Sequence, residues 1–157
     1  MRNLMMVATF ASMVASASAA TDDRDIVVTQ GGSLSSQLGV PENFTGHVVI
    51  DLLTPPSLKT PSSSGLVTFS PGARTAWHTH PAGQMLVVTA GKGWVQKEGE
   101  DRSIIRAGDT VWVPAGVRHW HGATEATAMS HIAVTFLKDG KGADWLELVS
   151  DAQYGGK

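Results

Sequence analysis

The chain has 157 residues, of which 42% are hydrophobic, so it is long enough for one domain of ordinary size with a single core. Its formal net charge is −2 and it contains no basic cluster, which makes nucleic acid and anionic lipid poor partners. It contains no cysteine, so stability must come from core packing, with a bound ion as a further source.

Residues 1–19 have the pattern of a secretory signal peptide. Arg2 supplies a charged start, Leu4 to Val14 form an apolar run, and residues 17–19 read ASA, a small-residue cleavage pattern. A short packed helix or a membrane anchor is the alternative, but the run is shorter than the ~20 apolar residues that a bilayer requires. We therefore expect a mature protein that begins at Ala20, is periplasmic or secreted, and has no stable membrane anchor.

Residues 20–43 are polar and rich in glycine and serine, which indicates a loosely ordered N-terminal arm with one short strand at Ile26–Thr29. The main domain, residues 44–138, begins with a strand at His47–Leu52, after which TPPSLKTPSSSG predicts a long loop. Apolar or alternating runs between Gly/Pro turns then predict further strands at Leu66–Phe69, Thr75–His80, Met85–Thr89, Trp94–Lys97, Thr110–Val113, Arg118–Gly122 and Ala128–Leu137.

Many short strands with closely spaced turns and almost no helical periodicity indicate an all-β, antiparallel barrel or sandwich. The C-terminal tail, residues 139–157, is expected to hold a strand and a short helix, with Ser150 placed to cap a turn through Tyr154. The sequence thus predicts a single small all-β domain with tails at both ends.

Five of the six histidines lie between His78 and His131. Because side chains alternate across a strand, His78 and His80 face the same way. The same holds for His119 and His121, and His131 on the next strand is a further candidate. A lone buried histidine is more often a hydrogen-bonded core residue than a ligand. Several unpaired imidazoles in an apolar interior would cost roughly a few kcal/mol each, and a cation that accepts their lone pairs removes most of that cost.

The spacing of these histidines resembles the two motifs of the cupin superfamily. The first, G-(x)5-H-x-H-(x)3,4-E-(x)6-G, is matched by Gly72, His78, His80, Gln84 and Gly91, with glutamine in the acidic position. The second, G-(x)5-P-x-G-(x)2-H-(x)3-N, is matched by Gly108, Pro114, Gly116 and His119, with Ala123 in place of the asparagine. Two linked motifs with matching intervals are a specific signal.

The segments GARTAWHTHPAGQ, GDTVWVPAGVRHWHGA and DGKGADWLELVSDAQY are similar to bacterial cupins described as manganese-dependent, (R)-mandelonitrile lyase-like hydroxynitrile lyases. The resemblance implies a conical antiparallel barrel of the cupin (jelly-roll) type, commonly a homodimer formed by strand exchange. It also implies a Mn(II) cofactor, although Fe(II), Ni(II), Co(II) and Zn(II) accept the same ligands. The implied ligand set is His78, His80, Gln84 and His119.

Three neutral imidazoles and one amide oxygen would leave the full dipositive charge on the ion, which makes it a strong Lewis acid. His121 lies about 6.6 Å further along the strand than His119. His121 and His131 are therefore candidate acid–base catalysts, or groups that orient a ligand. The resemblance implies cleavage and formation of cyanohydrins. A cupin dioxygenase, or an exported metal-containing protein that binds a small molecule without turnover, remains open.

The sequence also predicts the surroundings of two tryptophans and two arginines near the motifs. Trp77 and Trp120 adjoin ligand positions and point away from them, either into a dimer interface or beneath loops or the N-terminal arm. Arg74 and Arg118 either bind a carboxylate at the rim of the pocket or pair with an acidic residue such as Asp109.

Overall fold

A computed structural model describes residues 26–55 and 58–156, so the predicted signal peptide and the first part of the arm lie outside the described residues. In the part of the chain that is described, no helix is both long and apolar enough to cross a bilayer. The elements are β1 Ser36–Leu38, β2 Phe44–Thr45, β3 Val48–Leu52, β4 Ser62–Phe69, β5 Arg74–Thr75, β6 His78–Thr79, β7 Gln84–Lys97, β8 Ser103–Arg106, β9 Thr110–Val113, β10 His119–Ala123, β11 Met129–Phe136, β12 Asp144–Trp145 and α1 Asp151–Tyr154.

The strands form one antiparallel sheet that curls into a half-barrel, in the order β1-β3-β4-β11-β7-β10-β5-β2. The long strand β7 holds the sheet together, because its first half pairs with β11 and β9 and its second half pairs with β10 and β8. Strand β12 joins the sheet through β6, which pairs with both β10 and β12. The predicted all-β antiparallel fold is therefore confirmed.

The two strands expected at Met85–Thr89 and Trp94–Lys97 are one continuous strand, so the turn predicted between them was wrong. Gly91 lies at a bend in that strand with a φ of +72°, and a Cβ there would come within 2.0 Å of the carbonyl oxygen of Ala128. Opposite the bend, the register of β11 shifts between Ser130 and His131. The glycines of AGKG thus bend the strand without ending it.

Three further expectations differ from the structure. Ile26–Thr29 is not a strand, and the arm pairs with β3 at Ser36–Leu38 instead. Residues 62–65, expected in a loop, begin β4 because β11 pairs with all four of them and β3 pairs with Gly65 on the other side. This pairing overrides the low strand propensity of serine and glycine. The strand expected at Thr75–His80 is divided, because Ala76 N–H donates to Asn43 O and Trp77 N–H donates to Glu147 O.

Hydrophobic side chains form two buried clusters. One lies inside the half-barrel and consists of Val48, Phe69, Ala73, Val88, Ile105, Ala123 and Met129. The other lies on the outer side of β10 and consists of Trp77, Trp120, Val149 and Tyr154. Ser150 caps α1 as predicted, with a reciprocal capping box to Gln153. Trp77 and Trp120 point away from the histidines, and Val149 and Tyr154 of the C-terminal tail pack against them.

Candidate metal centre

Three histidine rings converge inside the half-barrel. His78 on β6 and His119 on β10 are direct cross-strand partners, and their ring centroids lie 4.2 Å apart. His80, just after β6, lies 5.0 Å from the ring of His78 and 5.3 Å from that of His119. All three residues are buried, and each offers one ring nitrogen within 4.8 Å of the others. The sequence alternation that placed these residues on one side of the sheet is therefore confirmed.

Backbone carbonyls hold the three rings. The Nδ1 atom of His78 lies 2.9 Å from Ala76 O, that of His80 lies 2.7 Å from Gly142 O, and that of His119 lies 3.0 Å from Val117 O. A carbonyl can only accept, so each Nδ1 carries the proton and each Nε2 keeps its lone pair. The Nε2 atoms of His80 and His119 are buried and have no hydrogen-bond partner among the described residues. Such a set of orphaned lone pairs fits a bound cation.

Gln84, the first residue of β7, lines the same cavity as His80. Its Nε2 donates to Thr135 Oγ1 over 2.9 Å, which fixes the amide so that Oε1 is the atom left over. This Oε1 is buried and has no hydrogen-bond partner within the described residues. With this oxygen, the candidate donor set would be three imidazole nitrogens and one neutral oxygen, which suits a first-row divalent ion without selecting one.

Burial keeps the three histidines in the form that can bind a metal. Loss of solvent lowers the pKa of His78 well below its ordinary value, and the neighbouring His119 lowers it further. Burial also lowers the pKa of His80, and it lowers the pKa of His119 to about 4. All three rings are therefore neutral near pH 7, as metal ligands must be.

His121 and His131 form a second buried pair beside the three-histidine cluster. The Nε2 atom of His131 lies 3.2 Å from Nδ1 of His121, and the ring of His121 lies 5.3 Å from that of His78. The outer nitrogens of the pair, His121 Nε2 and His131 Nδ1, have no partner within the described residues. Burial and the charged form of His131 lower the pKa of His121, and burial lowers that of His131 to about 4.

A cavity of about 260 Å³ opens onto both histidine groups. Its walls are mostly apolar, and no Asp, Glu, Lys or Arg of the described residues lines it. A neutral small molecule can therefore enter without losing the hydration of a charge. The lining includes His80, Gln84, His121 and His131, together with Phe44, Ile50, Leu52, Val67, Ala133, Thr135, Gly142 and Trp145.

The arginines lie away from this cavity. Arg74 is buried, donates to Val149 O over 2.9 Å and pairs with Asp151 over 2.7 Å. Arg118 pairs with Glu98 and Glu147. Neither binds at the rim, so the alternative of pairing with acidic residues is confirmed, although the partners lie mostly in the C-terminal tail.

The C-terminal tail contributes to the site in a way that the sequence patterns did not predict. Gly142 supplies the carbonyl that orients His80, and Trp145 on β12 packs beside His78 with ring centroids 4.7 Å apart. A signal was available at residues 138–141, which read KDGK, because Asp-Gly is typical of tight turns that reverse the chain. This turn brings the tail back to the sheet that carries the histidines.

Together these features define a β-barrel protein with a histidine cluster able to hold a metal ion. The cupin domain family matches residues 65–135 of the chain. The (R)-mandelonitrile lyase of Granulicella tundricola is 51% identical over 123 residues, which cover 78% of this chain and 94% of that protein. The chain belongs to the cupin family, and its similarity to a lyase supports an enzymatic activity in general.

Solved structures show the same fold. A cupin-like protein from Thermotoga maritima is 36% identical, with a TM-score of 0.73, and the match covers 84% of this chain and 96% of that one. A cupin-2 domain protein from Rhodospirillum rubrum has a TM-score of 0.62 at 14% identity, with 83% and 84% of the two chains covered. The second similarity supports the fold alone.

Proposed function

We propose that the protein is a metal-dependent hydroxynitrile lyase that cleaves and forms cyanohydrins. The proposal rests on one observation: three uncharged ligand atoms, from His80, Gln84 and His119, are buried without a hydrogen-bond partner among the described residues. His80 and Gln84 line the same apolar cavity as His121, a neutral, buried imidazole. The 51% identity to a protein named (R)-mandelonitrile lyase supports the same reaction. The ion would be held by His78, His80, Gln84 and His119, and we favour Mn(II).

Lewis-acid stabilisation of negative charge on the substrate oxygen is the chemistry that a bound divalent ion supplies at this site. Gln84 contributes an oxygen without a charge, so it leaves that stabilisation undiminished, whereas a carboxylate would cancel one unit of positive charge. Thr135 supports a ligand role for Gln84 because its Oγ1 accepts the amide hydrogen and so leaves Oε1 available to a bound ion.

In our proposal His121 moves the proton. Its Nε2 accepts the hydroxyl proton of the cyanohydrin, and the bond between the carbinol carbon and the nitrile carbon breaks. The electron pair of that bond leaves with cyanide, while the former O–H pair forms the aldehyde carbonyl. His121 then returns the proton to cyanide, so hydrogen cyanide and aldehyde leave and the imidazole is neutral again.

His131 orients this base. In the tautomer that leaves His121 Nε2 free, Nδ1–H of His121 donates to Nε2 of His131 over 3.2 Å. The same hydrogen bond stabilises the imidazolium that forms when His121 takes up a proton. Phe69 supports both rings, with centroids 5.8 Å from His121 and 5.6 Å from His131.

The test is a mandelonitrile assay with purified protein loaded with Mn(II), compared with protein stripped by a chelator. We expect benzaldehyde release in the loaded sample, and elemental analysis is expected to find one ion per chain. No benzaldehyde above the stripped control would overturn the lyase reaction. Oxygen uptake without benzaldehyde would instead favour a dioxygenase, and saturable binding without product would favour a binding protein.

The homodimer and the periplasmic or secreted location stay predictions. The outer face of the sheet offers an apolar strip around Trp112, which is 57% exposed and lies opposite Met85 on β7. Light scattering coupled to size-exclusion chromatography tests the dimer. Cell fractionation and N-terminal sequencing of the mature chain test the export and the cleavage before Ala20.

A further inference from the structure

The C-terminal strap, residues 138–149, closes one side of the cavity. It starts with a tight turn in which Lys138 and Lys141 exchange backbone hydrogen bonds of 3.0 and 2.9 Å. Asp139 and Gly140 occupy positive φ values of 53° and 76° in that turn. The strap then returns along β6, where Leu146 N–H donates to Trp77 O and Trp77 N–H donates to Glu147 O. The strap is thus attached along the strand that carries His78.

Register sets the direction of one side chain of the strap. Trp145 on β12 is the cross-strand partner of His78 on one side of β6, and His119 on β10 is the partner of His78 on the other side. Directly opposed residues of an antiparallel pair project to the same face of a sheet. Trp145 therefore points inward with the histidines, and its ring lies 4.7 Å from that of His78 at an interplanar angle of 31°.

Trp145 also forms part of the cavity wall and reaches solvent. It lines the cavity, packs against Phe44 with centroids 5.4 Å apart, and keeps 39% of its surface exposed. The histidines beneath it are almost wholly buried. The indole is thus a flat apolar surface, partly open to solvent, in the wall of the cavity that His121 also lines.

We propose that Trp145 is a specificity-determining residue, a platform against which the planar aromatic group of a neutral substrate packs. The uncharged cavity of about 260 Å³ excludes large and ionic molecules, and the indole ring favours a ring that can stack on it. The inference deepens the proposed function by assigning the substrate preference to one side chain of the strap. It rests on the proposed function for the reaction, but its test measures binding alone.

The test compares two unreactive alcohols of similar shape, benzyl alcohol and cyclohexylmethanol, by calorimetric titration of Mn(II)-loaded protein. The wild-type chain is expected to prefer the aromatic alcohol about three- to tenfold, the range of a ring–ring contact. Trp145→Leu keeps an apolar side chain beside His78 and is expected to remove this preference. Trp112→Leu, on the exposed outer face, is the matched control and is expected to keep it.

Metal content is measured for every variant, so a lost preference counts only where the ion is retained. An unchanged ratio of the two dissociation constants in metal-loaded Trp145→Leu would overturn the inference. That result would leave the proposed reaction intact if mandelonitrile is still cleaved. Conversely, the aromatic preference could be lost in Trp145→Leu while the metal-loaded wild-type protein cleaves no cyanohydrin. That result would support the platform and overturn the lyase function.

Discussion

Nε2 of His131 lies 3.2 Å from Nδ1 of His121, and this contact links the two histidines that stand outside the three-histidine cluster. Both rings are buried, and burial holds the pKa of His121 well below its ordinary value. The pair is therefore neutral near pH 7, with one imidazole able to accept a proton and the other able to stabilise the product of that transfer.

Replacing His121 with glutamine is expected to lower kcat for mandelonitrile cleavage by about 10²-fold or more, because the proton acceptor is lost. Metal content is expected to stay at the wild-type level, because His121 lies outside the cluster of His78, His80 and His119. His47→Gln, at an exposed histidine, is the matched control. A His121→Gln protein that holds its ion and keeps wild-type kcat would contradict the role given to this residue.

His131→Leu is expected to lower kcat less than His121→Gln. The substitution removes the acceptor of the His121 Nδ1 hydrogen bond but leaves Nε2 of His121 facing the cavity. Steady-state kinetics on the two variants, with metal content measured in parallel, compares the effects. A larger loss in His131→Leu than in His121→Gln would reverse the assignment of base and supporting residue.

Acid is expected to destabilise the metal-free protein between about pH 6.5 and pH 4. In the folded chain burial lowers the pKa values of His119 and His131 to about 4, whereas the unfolded chain takes up protons near 6.5. Below 6.5 the unfolded state therefore binds more protons, and the free energy of unfolding falls as pH falls. Above that range the histidines contribute no pH dependence.

Urea denaturation of chelated protein at pH 7, 6 and 5 measures this effect through the midpoint and the fitted free energy of unfolding. One pKa unit of difference in one group corresponds to about 1.4 kcal/mol. His131→Leu removes one of the shifted groups, so its free energy of unfolding is expected to depend less steeply on pH. A wild-type midpoint that is the same at all three pH values would contradict the prediction.

The inward direction of the histidines could be predicted because it depends on local alternation alone. His78 and His80 are two residues apart, as are His119 and His121, and the strands that carry them place each pair on one face. The intervals of the two motifs predicted that strands far apart in sequence contribute to one site. Gln84 was placed through its motif position, and the structure adds the reason for its orientation, the hydrogen bond to Thr135.

Contacts made by the C-terminal tail could not be predicted from these patterns. Trp145 lies on a strand of two residues, too short to show alternation, and its neighbour His78 is far away in sequence. Gly142 acts through its backbone carbonyl, which no side-chain pattern reveals. The bend at Gly91 could not be predicted either, because the same glycine-rich pattern occurs where a strand ends and where a strand bends.

Tyr154 joins the tail to the sheet, and Tyr154→Phe is expected to lower the free energy of unfolding by about 1 kcal/mol. The hydroxyl of Tyr154 donates to Ala123 O over 2.9 Å in a buried position, and phenylalanine keeps the ring but not this bond. Urea denaturation at pH 7 measures the change, with Trp112→Phe on the exposed outer face as the control. Equal stability of Tyr154→Phe and wild type would show that the hydroxyl is not what secures the tail.

Gln84→Glu separates metal binding from activity. The carboxylate keeps an oxygen at the position of Oε1, and Thr135 can turn its hydroxyl to donate to the other oxygen in place of accepting from the amide. We therefore expect the variant to bind one Mn(II) per chain at least as tightly as wild type. The added negative charge is expected to reduce kcat by about tenfold or more, because it cancels one unit of charge at the Lewis-acid site.

Gln84→Leu completes the comparison because it removes the oxygen altogether and is expected to bind the ion more weakly. Gln37→Glu, on the exposed strand β1, controls for the change in net charge. Elemental analysis and mandelonitrile kinetics on the three variants provide the two readouts. A Gln84→Glu protein that loses its metal would show that Gln84 is not a ligand. Full activity with the metal retained would show that the neutral amide is not what makes the site reactive.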